Sequence, residues 1–222
     1  MEPQSSAFSV AAQHVIWGYG FRHTDDGHPW VAHLLGRLDL RDFYDRYRFE
    51  SLAELLFPDQ HVAALSAESR NFLSDPDLEL VLGERVVSQV ETVGTISLDC
   101  THGTQHRGPI SDRKLELETE LLASLHSKLR TEGFTPPDGD GLRGYFLVSD
   151  RSYAFRLVGG QHRAAVLAAL GFPALPLTFE PGFPRFVDAN ELPRREKFFL
   201  EALLDARCHG AKRNFLSEMI RT

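Results

Sequence analysis

The apolar positions of this chain change period near residue 90. Before that point the spacing is mostly helical. His28-Pro29-Trp30 opens a helix carrying Val31, Leu34, Leu35 and Leu38, with proline in the first turn, where its missing N–H costs nothing. Phe43, Tyr44 and Tyr47 lie at helical spacing near Leu40 and read as a packing face. Ser51-Leu52-Ala53-Glu54 has capping-box spacing and opens a short apolar run ended by Pro58. Leu78-Glu79-Leu80-Val81-Leu82 fits either a helix or a strand.

Beyond residue 90 short strands and helices alternate. Val93 to Leu98 reads as a strand, followed by a polar, glycine-bearing loop from Asp99 to Pro109. Ser111-Asp112 caps a helix in which Leu117, Leu121, Leu125 and Leu129 repeat every fourth residue, with Gly133 as its stop. Pro136 to Gly141 must be a loop. Tyr145 to Val148 and Tyr153 to Val158 flank Ser149-Asp150-Arg151-Ser152 as a hairpin. The second strand runs through Gly159-Gly160 into an alanine-rich helix that Gly171-Phe172-Pro173 ends. Ala174 to Phe179 is a further strand, and Glu191 to Arg221 holds one or two helices divided near Gly210, with Phe198, Phe199 and Leu203 as a packing face. The expected organisation is a mainly helical region over 1–90, an α+β domain over 91–182 and a helical tail over 183–222.

At 222 residues and 42% hydrophobic composition the chain can bury a proper core. Its net charge of -7 argues against nonspecific nucleic-acid binding, which needs many Lys/Arg–phosphate contacts. Two cysteines, Cys100 and Cys208, exclude a disulfide framework and a four-cysteine zinc site. Residues 1–6 lack the basic and apolar regions of a secretory signal. No apolar run approaches the roughly 18 to 20 residues that span a bilayer. The expectation is a cytoplasmic protein without a membrane partner.

Candidate chemistry concentrates at Gly159-Gly160-Gln161-His162-Arg163. A strand entering a double glycine and then a helix builds an anion site, because glycine allows a sharp turn and the first helical N–H groups point outward with the positive end of the helix dipole. His162 and Arg163 stand in that same first turn, and arginine offers a planar fork to phosphate. The same order also fits a plain strand-to-helix turn with a solvated arginine. The tripeptide Gln-His-Arg occurs a second time, at 105–107, in the polar loop. Cys100, His102, His106 and Asp99 in that loop are zinc-ligand types, but their spacing matches no common zinc signature. The His23–His33 stretch reads as a capped turn at Asp26-Gly27 before a helix.

The run from Arg156 to Leu177 resembles the ParB/sulfiredoxin-like fold, also described as the ParB-like nuclease domain family. That family shows a strand, a Gly-X-His-Arg turn, a helix ending in Leu-Gly and a strand entered through proline. Thr95 to Asp99 resembles its first strand, and Asp112 to Gly133 the helix that follows. His28-Pro29-Trp30, Leu40 to Tyr44 and Leu52-Ala53-Glu54 also resemble uncharacterised ParB-like proteins associated with bacterial surface polysaccharide synthesis. Leu192-Pro193 stands where those proteins have tryptophan-proline.

The resemblance implies a small mixed sheet with helices, here with helical N- and C-terminal additions, and a bound nucleotide. Gly160, His162 and Arg163 would contact phosphates, Gly159 would supply turn geometry and Gln161 would stand at the variable site. Sulfiredoxins carry a reactive cysteine where this chain has Gln161, and a carboxamide cannot replace a thiolate. The chromosome-partition members add a helix-turn-helix that the tail does not show, and no paired-carboxylate metal site supports a nuclease.

Through its kinase branch the resemblance implies a nucleotide-dependent phosphotransferase, with ATP as the expected nucleotide, acting on a small hydroxyl-bearing metabolite such as an amino acid or sugar. Asp99 would be the base, His162 a catalytic partner, Arg107 and Lys114 (or Arg113) further phosphate contacts, and Mg²⁺ would be held by the phosphates. The alternative is a non-enzymatic nucleotide-binding module that acts on a protein partner. Homo-oligomer formation is left open.

Overall fold

A computed structural model describes residues 7–18, 20–48, 54, 56–58, 90–135 and 141–220, with the side chains of 90–92, 100 and 194–196 left aside. Short strands β1 (Phe8–Ala11), β2 (Val15–Trp17) and β3 (Phe21–Arg22) precede helices α1 (Pro29–Leu34) and α2 (Leu40–Arg46). A hairpin of β4 (Val90–Val93) and β5 (Ile96–Asp99) leads to α3 (Asp112–Glu132). Next come β6 (Leu142–Ser149), β7 (Ser152–Gly159), α4 (Gln161–Ala169), β8 (Ala174–Phe179) and β9 (Phe186–Asp188). Helices α5 (Arg194–Leu204) and α6 (Ala206–Ser217) follow.

The main sheet is mixed and runs β1-β8-β6-β7-β2-β3. Strands β6 and β7 form its antiparallel centre. One edge of β6 pairs in parallel with β8 through Leu142–Gly144 and with β9 through Phe146–Val148. On the other side β2 lies parallel to β7, pairing Val15 with Phe155 and Ile16 with Arg156. Both sheet faces are covered, which explains why Ala154 to Leu157 are buried without alternation. Phe155 and Leu157 pack with Ala164 and Leu167 of α4, whereas Ala154 and Leu147 pack with Leu200 and Leu203 of α5.

The strongly periodic segments form as expected. Helix α3 starts at Ser111, whose hydroxyl accepts from the Lys114 amide at 3.2 Å, and ends at Gly133. The 142–159 hairpin and β8 appear where alternation and turn residues place them. Phe43, Tyr44, Tyr47, Phe199 and Leu203 are buried.

Three expectations change. The N-terminal region supplies strands as well as helices: β1, β2 and β3 join the main sheet, because Val15-Ile16-Trp17 gains its backbone partners from β7, some 140 residues on. Val93 to Leu98 is a hairpin turning at Gly94-Thr95. The tail breaks at Asp205, whose carboxylate accepts from the Arg207 amide at 2.7 Å and so starts α6, while Gly210 lies inside that helix. The segments 51–53, 78–82 and 136–140 lie outside the described residues.

Candidate functional site

Strand β7 delivers the chain to the turn, and Gly160 makes it. Gly160 adopts φ +79°, ψ 21°, the left-handed conformation that glycine tolerates best. A Cβ at Gly160 would stand 2.8 Å from Leu142 Cδ2 and 3.1 Å from the Gly141 carbonyl oxygen, so the backbone packs tightly under the turn. Helix α4 then begins at Gln161 with no side-chain cap. Its opening amides keep the polarity that attracts an anion.

A cation lies against this turn. The hairpin register slips between Arg143 and Gly144, so Arg143 pairs with Gly159 while Gly144 pairs with Leu157. The Arg143 guanidinium is within 3.2–3.3 Å of where a Gly159 Cβ would be. Its Nε is buried with no hydrogen-bond partner among the described residues, and its Nη1 lies 3.6 Å from the Glu180 carboxylate. Arg163, half-buried, follows on the first turn of α4.

The two Gln-His-Arg tripeptides meet. Gln161 Oε1 accepts from Trp17 Nε1 at 3.1 Å and from Gln105 Nε2 at 2.6 Å. The Gln105 carbonyl accepts from the Tyr44 hydroxyl at 2.9 Å, which in turn accepts from Trp30 Nε1 at 3.2 Å. His162 stacks on Trp30 with ring centroids 4.3 Å apart and planes 14° from parallel. Its Nε2 hydrogen-bonds Glu118 Oε2. The Glu118 side chain is fully buried while His162 keeps 15% of its side-chain surface. Assigned from that bond, the carboxylate selects the Nε2–H tautomer and leaves Nδ1 as the proton acceptor. Glu118 Oε1 has no hydrogen-bond partner among the described residues.

Beneath this lies an aromatic and imidazole floor. The Trp17 ring is 4.7 Å from Trp30, 4.9 Å from His28 and 5.2 Å from His106. His23 Nδ1 donates to the Val15 carbonyl at 3.0 Å, and the Trp30 amide donates to His28 Nδ1 at 3.2 Å. Complete burial lowers the His23 pKa to about 4. Burial, with His23 and His162 nearby, pushes that of His28 well below its ordinary value. Both rings are neutral near pH 7.

Asp99, Lys114 and Arg107, also named from sequence, each have a partner in the polar loop. Asp99 ends β5, exposed, and its Oδ1 accepts from the Thr101 amide at 3.0 Å and from the Thr101 hydroxyl. Those two bonds hold its carboxyl below the usual range. The carboxylate acts as a local turn cap. Lys114 is buried on α3 and its Nζ donates to the Gly103 carbonyl, toward the polar loop. Arg107 forms an isolated bridge with Thr104 in that loop.

Reading by sequence pattern missed Glu118, Trp17, Trp30 and Arg143. The first left a signal: Lys114 and Glu118 are charged residues one turn apart, beside Leu117 on the buried side of α3. Arg143 left none, since hairpin counting without the slipped register sets it opposite Val158. Among the described residues no group of three or more His, Cys, Asp or Glu side chains is arranged to hold a metal. No helix of the described residues is long and apolar enough to cross a membrane. No protein-family model, curated protein or solved structure matches the chain.

Proposed function

We propose that the Gly159–Arg163 turn binds the phosphate tail of a nucleotide, and that the protein is a nucleotide-dependent phosphotransferase acting on a small hydroxyl-bearing metabolite. The observation that carries the binding is the uncapped start of α4 behind left-handed Gly160, with the incompletely partnered Arg143 guanidinium against Gly159. Such a cradle offers amides and planar cations to oxyanions without reorganising. The strand, Gly-X-His-Arg turn, helix and strand order is also what the ParB/sulfiredoxin-like resemblance implies, the resemblance of the flanks suggests surface polysaccharide synthesis as context, and the lack of a signal-like start in the sequence suggests the cytoplasm as location.

In this reading the amides of Gln161 and His162 hold phosphate oxygens while Arg143 and Arg163 offset their charge. ATP, when bound, supplies the transferable phosphoryl group. Mg²⁺ belongs with its phosphates rather than with an all-protein cage. His162, oriented by Glu118 and Trp30, is the group at the turn suited to take a hydroxyl proton. One observation favours a second reading, a binding module without catalysis: the carboxylate expected to serve as base, Asp99, is exposed and bonded to Thr101.

Both tryptophans of the chain touch the turn's side chains, so intrinsic fluorescence reports on it. Titration with ATP, ADP and CTP should give a saturable change that weakens tenfold or more in Arg163→Ala and in Arg143→Ala. No change at millimolar nucleotide, or an affinity that stays at the wild-type value in both variants, rejects the site. Incubation of the bound nucleotide with Mg²⁺ and a metabolite pool separates the readings: turnover lost in His162→Ala supports the transferase, and binding without turnover supports the module.

A further inference from the structure

At the other end of β7 a cleft of about 920 Å³ opens between the β6–β7 hairpin tip, the residues around β3 and the junction of α5 with α6. Ser152 lines it and Gly159 forms the turn, so the two places are separated by the length of the strand, about 23 Å. We infer that this cleft is a second binding site, for a small molecule bearing a carboxylate or phosphate group held by Arg22 and Arg151.

The charges are unevenly paired. Of the carboxylates lining the cleft, Asp205 pairs with Arg207 at 2.6 Å, Glu201 lies 3.8 Å from Lys197, and Asp150 accepts from Asn190 at 2.7 Å. Of the arginines, Arg213 pairs with Asp26 at 2.9 Å. Arg22 and Arg151 have no carboxylate partner among the described residues. Arg22 is the one built into place. It donates to the Gln13 carbonyl and to His209 Nε2, while its Nε is buried with no hydrogen-bond partner among the described residues.

His209 is oriented for this. Its Nδ1 donates to the Gly20 carbonyl at 3.1 Å, so Nε2 presents a lone pair to the guanidinium. Burial, with Arg22 beside it, lowers the His209 pKa to about 3, which keeps the ring a neutral acceptor. His14, stacked on Tyr153 with ring centroids 4.8 Å apart, completes this wall. A guanidinium held partly out of water with only neutral partners is under-compensated, and an oxyanion is the complement that planar fork fits. Arg151, exposed at the hairpin tip, faces the same cleft and can close on the ligand's outer side.

The test uses the full chain with inorganic phosphate and with succinate as separate probes, followed by NMR of the His14 and His209 ring signals. One or both probes should shift those signals saturably. The affinity should fall at least fivefold in Arg151→Ala, whose exposed side chain the fold does not need, and at least as far in Arg22→Lys, while Arg163→Ala leaves it unchanged. A shift by phosphate alone assigns a phosphate ester, and by succinate alone a carboxylate. Neither probe shifting the signals, or shifts that survive Arg151→Ala, overturns the site. Shifts lost in Arg163→Ala overturn it too and move the anion to the turn, so failure here is separable from failure of the nucleotide reading.

Discussion

Acidification should dismantle the floor of the candidate site before it affects the surface, and His23 sets the size of the effect. The ring is 1% exposed, spends its one donor on Val15, and titrates near 4 in the fold against an ordinary 6.5. A histidine held neutral in the folded state binds fewer protons there than in the unfolded chain. Its contribution is therefore complete above pH 6.5 and is lost as the pH falls from 6.5 through about 4. A tenfold change in proton affinity is worth about 1.4 kcal/mol, so the full loss is about 3 kcal/mol, of which about 2 kcal/mol has gone by pH 5. Replacing His23 by Gln keeps a donor for Val15 and removes the titration. Urea unfolding at pH 7.5 and at pH 5 should show wild type losing about 2 kcal/mol more than His23→Gln between the two conditions. His209 titrates in both proteins and cancels in that difference, and His28, lowered mainly by burial, cancels except for the part that His23 contributes. Equal losses would mean that His23 is not held neutral in the fold, and the packed floor beneath Trp17 and Trp30 would have to be abandoned.

Two glycines test the turn itself. Gly160→Ala forces a left-handed alanine and sets a methyl 2.8 Å from Leu142 Cδ2, a combined cost of about 2 to 4 kcal/mol, visible as a lower thermal midpoint together with weaker nucleotide binding. Gly144→Ala should be worse, because its Cβ would stand 1.9 Å from the Arg156 carbonyl oxygen, a backbone atom that cannot turn aside as a leucine methyl can. Thermal midpoints in the reverse order would refute the slipped register that sets Arg143 beside Gly159.

Local chemistry was legible and assembly was not. The α3 stripe, the 142–159 hairpin and β8 announce themselves because period, caps and turns act within a few residues. The tail boundary went astray because glycine was weighed as a breaker. In mid-helix it costs only about 1 kcal/mol, whereas Asp205 caps a new helix outright. Strands β2 and β3 are too short to show a period, and β2 is a strand by virtue of its pairing with β7. The same limit governs the site. Its turn lies in one stretch of sequence, so the glycines, His162 and Arg163 could be named together, but the groups that orient them come from residues 17, 30, 105, 118 and 143.

The carboxylate shows what that difference means for mechanism. The resemblance favours Asp99 because its kinase branch has an acidic base after the first strand, but a carboxylate at a strand end has the nearest backbone to cap, and Asp99 does so with Thr101. Glu118 sits where an acidic side chain is expensive, fully buried on a leucine-lined helix, and only a strong partner makes that tolerable. His162 is that partner. That buried carboxylate and the histidine it holds stand at the turn, so the acid worth pursuing is the one that sits in the interior at a cost. The repeated Gln-His-Arg makes the same point: one copy starts a helix and offers its histidine to Glu118, and the other braces it from a loop through Gln105. Identical tripeptides thus take unlike roles, set by what the fold puts beside them.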